Sequence, residues 1–205
     1  MTTIATTARP AVATRTLLTA GAVAAPLWAG VSLTQAFTRD GFDLTKHPLS
    51  LLSTGTLGWP QITNFVVAGI LLLAGAAGLR RTAAGPWTPR LVATSGLGMI
   101  AAGLLVMDPG NGFPAGVTAI PTTMTWHSIG HMVAGTITFT ALIAACYVLA
   151  RRNRSVPAAV AGTALLIGDV YCSAGGKAGS LTLAIGAITA MLYISYTAAR
   201  HRHAA

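Results

Sequence analysis

Histidine and aspartate carry much of the acid–base and metal-binding capacity of this chain, which has five histidines and four acids, every acid an aspartate. His127 and His131 stand four apart. On a helix that spacing puts both imidazoles on one face, with about 5–6 Å between β-carbons, close enough to chelate one metal ion. A catalytic zinc takes three protein ligands and keeps one position open for water. His47 is the candidate third ligand, with Asp108 or Asp43 as alternative oxygen donors. The pattern lacks the glutamate that makes H-E-x-x-H specific, and the same two histidines could instead hydrogen-bond to loop carbonyls.

Zinc held by His47, His127 and His131 would lower the pKa of a bound water and polarise a substrate carbonyl. Asp108 is then the candidate general base and Ser50 the candidate support for the oxyanion. Asp108 opens the stretch Asp108-Pro109-Gly110-Asn111-Gly112-Phe113-Pro114. There Pro109 must end a helix and the glycines turn the chain. A turn bond to its own backbone is the plainer role for Asp108. Asp43 and Asp169 are further candidates for the same site, although Asp169 could equally pair with Lys177 or face solvent.

The elements that position these groups follow from composition. Of 205 residues, 53% are hydrophobic and only 8% charged, and the mean hydropathy is +0.66, values that place the chain in a bilayer. A net charge of +9 would suggest a nucleic-acid partner in a soluble protein. Here the basic residues sit in short clusters between apolar runs, without interleaved aromatics, so no nucleic acid is expected. Six runs are long enough to span: Leu17–Phe37, Ile62–Leu79, Leu91–Met107, His127–Leu149, Val156–Cys172 and Ser180–Ala198. Lipid offers the backbone no hydrogen bonds, so all six are expected as helices. The fold class is therefore an all-α integral membrane bundle of six transmembrane helices. The apolar run after Arg15 faintly imitates a signal peptide but continues to Phe37, which favours a retained first helix.

Orientation follows from Lys and Arg, which are enriched in short cytoplasmic loops. Arg9, Arg15, Arg80, Arg81, Arg90, Arg151, Arg152, Arg154, Arg200 and Arg202 share one side, and only Arg39, Lys46 and Lys177 fall on the other. A multi-pass protein of the cell membrane with both termini cytoplasmic is expected: a tail at 1–15, one transmembrane domain at 16–199, and a tail at 200–205. All four acids, with His47, His127 and His131, then lie at the outer level. The Leu stripe at 44, 49, 51 and 52 suggests a short interfacial helix in the first outer loop, carrying Asp43, His47 and Ser50 over the mouth of the bundle. Trp59, Trp87 and Trp126 mark the two membrane–water levels. Cys146 and Cys172 fall near opposite levels and are expected to remain unpaired.

The order of Phe42-Asp43, His47-Pro48-Leu49-Ser50, Gly58-Trp59, the stretch 108–114, and Trp126-His127 followed by His131 resembles the bacterial membrane family known as domain of unknown function 998. The resemblance extends over nearly the whole chain, implies a six-span membrane protein, and marks Asp43, His47, Ser50, Asp108, His127 and His131. The site chemistry is also similar to the zinc site of the CREST membrane hydrolases, which include alkaline ceramidases and adiponectin-type receptors. In that group Ser precedes the first His by four, whereas Ser50 follows His47 by three. Its His pair lies in the last span, whereas this one lies in the fourth.

Three functions are consistent with these residues. The first is an outward-facing zinc-dependent hydrolase acting on an amide or ester of a lipid or other amphiphile. The second is a non-enzymatic sensor, transporter accessory or small-molecule-binding membrane protein whose histidines titrate or bind metal without turnover. The third is an isoprenoid cyclase that uses a protonated Asp as acid.

Overall fold

Long runs of Ala, Leu, Val and Gly, punctuated by Pro, Gly and Arg, leave the backbone one way to satisfy itself in an apolar setting, which is to wind into helices. The computed structural model describes residues 9–117 and 122–203. Among these are six α-helices: α1 (Arg9–Thr38), α2 (Trp59–Leu79), α3 (Trp87–Leu104), α4 (Trp126–Asn153), α5 (Val156–Ser173) and α6 (Gly179–His203). A short 3-10 helix, η1 (Leu49–Ser53), lies in the first connection. Each expected span falls on one of the six α-helices, except that α3 stops at Leu104, three residues short of Met107. Residues 1–8 and 204–205 of the expected tails lie outside the described residues.

Local chemistry sets the ends. The Thr125 hydroxyl accepts from Ser128 N–H at the start of α4, and the Ser155 hydroxyl accepts from Ala158 N–H at the start of α5. Pro157 occupies the first turn of α5, where its missing N–H costs nothing. Arg154 takes a left-handed conformation (φ 49°) that ends α4 and lets α5 begin two residues later.

Each helix packs on the next in sequence, and α6 returns to α1, closing a ring. Lipid removes the hydrophobic drive between helices, so close approach must supply the attraction. At the α1–α2 crossing, a β-carbon on Gly21 would lie 2.7 Å from the Gly75 α-carbon, so only hydrogen fits. Toward the other end of the same interface, Ser32 and Gln35 of α1 meet Gln61 and Asn64 of α2. Gln35 Nε2 donates to Gln61 Oε1 (2.8 Å), Gln61 Nε2 to Ser32 Oγ (3.0 Å), and Asn64 Nδ2 to the Trp28 carbonyl (3.0 Å).

Hydrogen bonds also sort the connections to two ends. His47 reaches Asn111, which joins the α1–α2 and α3–α4 connections at one end. Arg152 near the end of α4 donates to the Ala83 carbonyl in the α2–α3 connection at the other. Five of the six helices are long and apolar enough to cross a membrane, so the chain is a multi-pass membrane protein. The exception is α3, whose 18 residues include Pro89, Arg90, Thr94 and Ser95. The short helix expected in the first connection is present as η1, but its leucines face inward: Leu49, Leu51 and Leu52 are buried in the bundle, with at most 6% of each exposed.

Candidate functional site

At the end of the bundle that carries His47, the chain between α1 and η1 folds on its own side chains. The Asp43 carboxylate accepts from the Thr45 hydroxyl (2.6 Å) and the Thr45 amide (2.9 Å), and it pairs with Lys46 Nζ at 3.1 Å. These donors, with the Thr45 hydroxyl first, hold its carboxyl well down, to about 2. His47 Nδ1 accepts from the Asp43 amide, and Nε2–H donates to the Asn111 carbonyl, both at 2.9 Å. The imidazole clusters with Phe42 and Phe113, ring centroids 5.3 and 5.5 Å away, the two phenyl rings themselves 5.1 Å apart. The Arg39 guanidinium lies over Phe113 and donates to the Leu52 and Thr54 carbonyls. His47 is thus a staple between two connections, and as placed it has no lone pair left for a metal.

Asp108 does not make the expected turn bond to its own backbone; its carboxylate partners come from the start of α4. Its carboxylate accepts from the Thr125 amide (2.8 Å) and hydroxyl (2.7 Å), which depress its pKa, the amide most. A carboxylate held in this way is a weak base. His127 is exposed and stacks on Trp126, with centroids 3.6 Å apart. His131, one turn on, is 4% exposed, and its Nδ1 lies 2.8 Å from both the Ala102 and Leu105 carbonyls. Those carbonyls belong to the last turn of α3 and have no helical partner, so His131 caps that helix across the interface. Two carbonyls can only accept, so Nδ1 carries the proton and Nε2 keeps its lone pair.

The three histidines therefore do not converge. One is a staple, one is on the surface and one is a cap. Among the described residues no three His, Cys, Asp or Glu side chains group as metal ligands do. Zinc in the expected His47–His127–His131 shell does not fit this arrangement. Cys146 and Cys172 are free thiols.

Two expected residues, Ser50 and Asp169, do meet, at a cavity of about 430 Å³ that His131 also lines. That volume lies within the roughly 300–1,000 Å³ usual for small-molecule sites. Ser50, whose hydroxyl donates to Met107 Sδ (2.9 Å), and Leu49 bring η1 to its mouth. The walls run down α4 from His131 to Phe139 and down α6 from Ser180 to Met191, a depth of about 16 Å at 1.5 Å per residue. Met99, Met107, Met132 and Met191 give the lining an adaptable apolar character. Met132 and Thr136 of α4 and Ser173 of α5 line the cavity and are also exposed, so it opens sideways between these helices.

Residues 22–200 match the model of the family described as Protein of unknown function (DUF998). The chain belongs to the DUF998 family. No curated protein and no solved structure matches it. All residues of the staple, the α3 cap and the cavity lie inside the matched part of this DUF998 chain, which is an all-α membrane protein. Trp28 and Phe65 line the cavity and drew no attention as sequence, nor did the four methionines. A polar spacing could have pointed to part of the DUF998 interior: Ser32/Gln35 and Gln61/Asn64 are pairs three apart in apolar helices, the pattern of a buried polar seam.

Proposed function

We propose that this protein binds a single-chain amphiphile in the cavity inside the ring of helices, open between α4 and α5, without a metal and without turnover, with the cavity mouth at the outer face of the cell membrane. The observation that carries the reading is a deep apolar space, open sideways, with polar groups gathered at one end: His131, Ser50 and Asp169. A tail would lie along the Met and Phe walls while the headgroup meets the polar end. The sideways opening is the route by which a lipid-borne molecule enters. The Asp43 and Asp108 carboxylates are committed to Thr45 and Thr125 and serve the loop architecture.

The orientation rests on charge. Ten of thirteen basic residues fall on the side that bears the α2–α3 and α4–α5 connections, which assigns that end and both termini to the cytoplasm. We count α3 as the sixth span because it sits between α2 and α4 in the ring and joins their opposite ends.

Gly135 provides the test. It lines the cavity, and a β-carbon there meets nothing within 4 Å, so Gly135→Phe starts its side chain into open space at the cavity wall. Wild-type protein extracted with its lipid annulus should carry a single-chain amphiphile at a fixed ratio in mass spectrometry, and Gly135→Phe should lose it while remaining folded. Equal retention by the two proteins would sink the proposal.

A further inference from the structure

Asp169 lies one turn from the end of α5, half-buried and inside a span. Its carboxylate has no hydrogen-bond or ion-pair partner among the described residues, where the one ion pair joins Lys46 to Asp43. An acid at such a depth belongs to a partner or a functional route. The space beside it is the cavity, and the lining contains no Lys or Arg to neutralise it. The lining does contain a second acceptor, His131, whose proton is fixed on Nδ1 by the two α3 carbonyls so that Nε2 offers a lone pair. The polar end of the cavity is thus rich in acceptors and negative. An anionic headgroup would meet an acid and no cation. A headgroup that donates several hydrogen bonds and carries positive charge would complement both groups.

Resting on the amphiphile reading above, we propose that the cavity selects a primary ammonium headgroup on a single long chain, its N–H donors shared between the Asp169 carboxylate and His131 Nε2. Hydrogen bonds between charged partners are about twice as strong as neutral ones. The α5–α6 end contributes selectivity in this arrangement, and η1 closes the mouth with Ser50.

Trp28 supplies the readout, because it lines the cavity and is 4% exposed, whereas Trp59, Trp87 and Trp126 are exposed at helix starts. With those three replaced by Phe, the full chain in nanodiscs of zwitterionic lipid is titrated with ω-bromododecylamine, ω-bromododecanol or ω-bromododecanoate, whose bromine quenches a nearby indole. The amine should quench saturably at about tenfold lower concentration than the alcohol, with the carboxylate weakest. Asp169→Asn should erase the amine's advantage and leave the alcohol curve in place, which also reports that the variant is folded. Equal midpoints for amine and alcohol, a carboxylate that binds best, or an amine advantage that survives Asp169→Asn would overturn headgroup selection while the cavity reading stands. No saturable quenching of Trp28 by any of the three would overturn the cavity reading itself, and this inference with it.

Discussion

His47 and His131 put the same side chain to two uses, and burial and partners decide between them. His47 works through both nitrogens at once, accepting from Asp43 and donating to Asn111. His131 works through one nitrogen and leaves the other for the cavity. Around His47, the depressed carboxyl of Asp43 makes the loop layer sensitive to strong acid. The folded group takes its proton only near pH 2, whereas an unfolded aspartate does so near 3.8. Between those values the unfolded state binds more protons, so the stabilisation is complete above about pH 4 and is lost as pH falls toward 2. Asp108 is depressed in the same direction and adds to the effect. The protection of the Thr45 and Thr125 amides, taken relative to the intrinsic exchange rate at each pH, should therefore fall below pH 4 before that of the helices, and protection unchanged across that window would contradict these assignments. Residue types and sequence spacing pointed to Asp43, His47, Ser50, Asp108, His127, His131 and Asp169; all lie at one end of the bundle, but only Ser50, His131 and Asp169 line the cavity, and His127 is on the surface. They could not report that both ring nitrogens of His47 were already taken, because one partner is a backbone amide four residues back and the other a carbonyl in a distant connection.

At the scale of elements, apolar run length was a sufficient guide to the helices, since lipid leaves the backbone few alternatives. It was a poor guide to η1, where a Leu stripe could serve a surface or a core equally, and the burial of Leu52 settled it. Small residues were conspicuous in the sequence, but which of them sit at crossings depends on helix rotation, which hydropathy does not encode. Gly21 and Gly75 face each other, whereas a β-carbon on Gly30 meets nothing within 4 Å. Gly75→Ala should therefore destabilise the α1–α2 contact by about 1–3 kcal/mol through overpacking, and Gly30→Ala should be neutral or slightly stabilising. Thermal unfolding in detergent compares the two variants. Equal midpoints would show that the crossing is looser than described.

For the whole molecule, the sides assigned from charge make a direct prediction. In a chain lacking Cys146 and Cys172, a cysteine at Gly116 should react with an impermeant thiol reagent on intact cells, and one at Asn153 should react only after the membrane is opened. The reverse pattern would invert the bundle and place the cavity mouth in the cytoplasm. Composition was enough to read a membrane protein, because 53% hydrophobic against 8% charged residues leaves no soluble alternative. The cavity was not readable, since its walls come from methionines and aromatics spread over five of the helices that only the ring brings together.

The amide seam between α1 and α2 also bears on how such a chain is made. Gln61 and Asn64 are at most 4% exposed, and they bond to Ser32, Gln35 and the Trp28 carbonyl of the preceding helix. Released alone into hydrocarbon during synthesis, α2 would carry two side-chain amides with nothing to bond. Released beside α1, it finds every one of those partners only some thirty residues behind it in the nascent chain. The first two helices are therefore a natural unit of insertion, a hairpin whose amide donors find acceptors before lipid surrounds it.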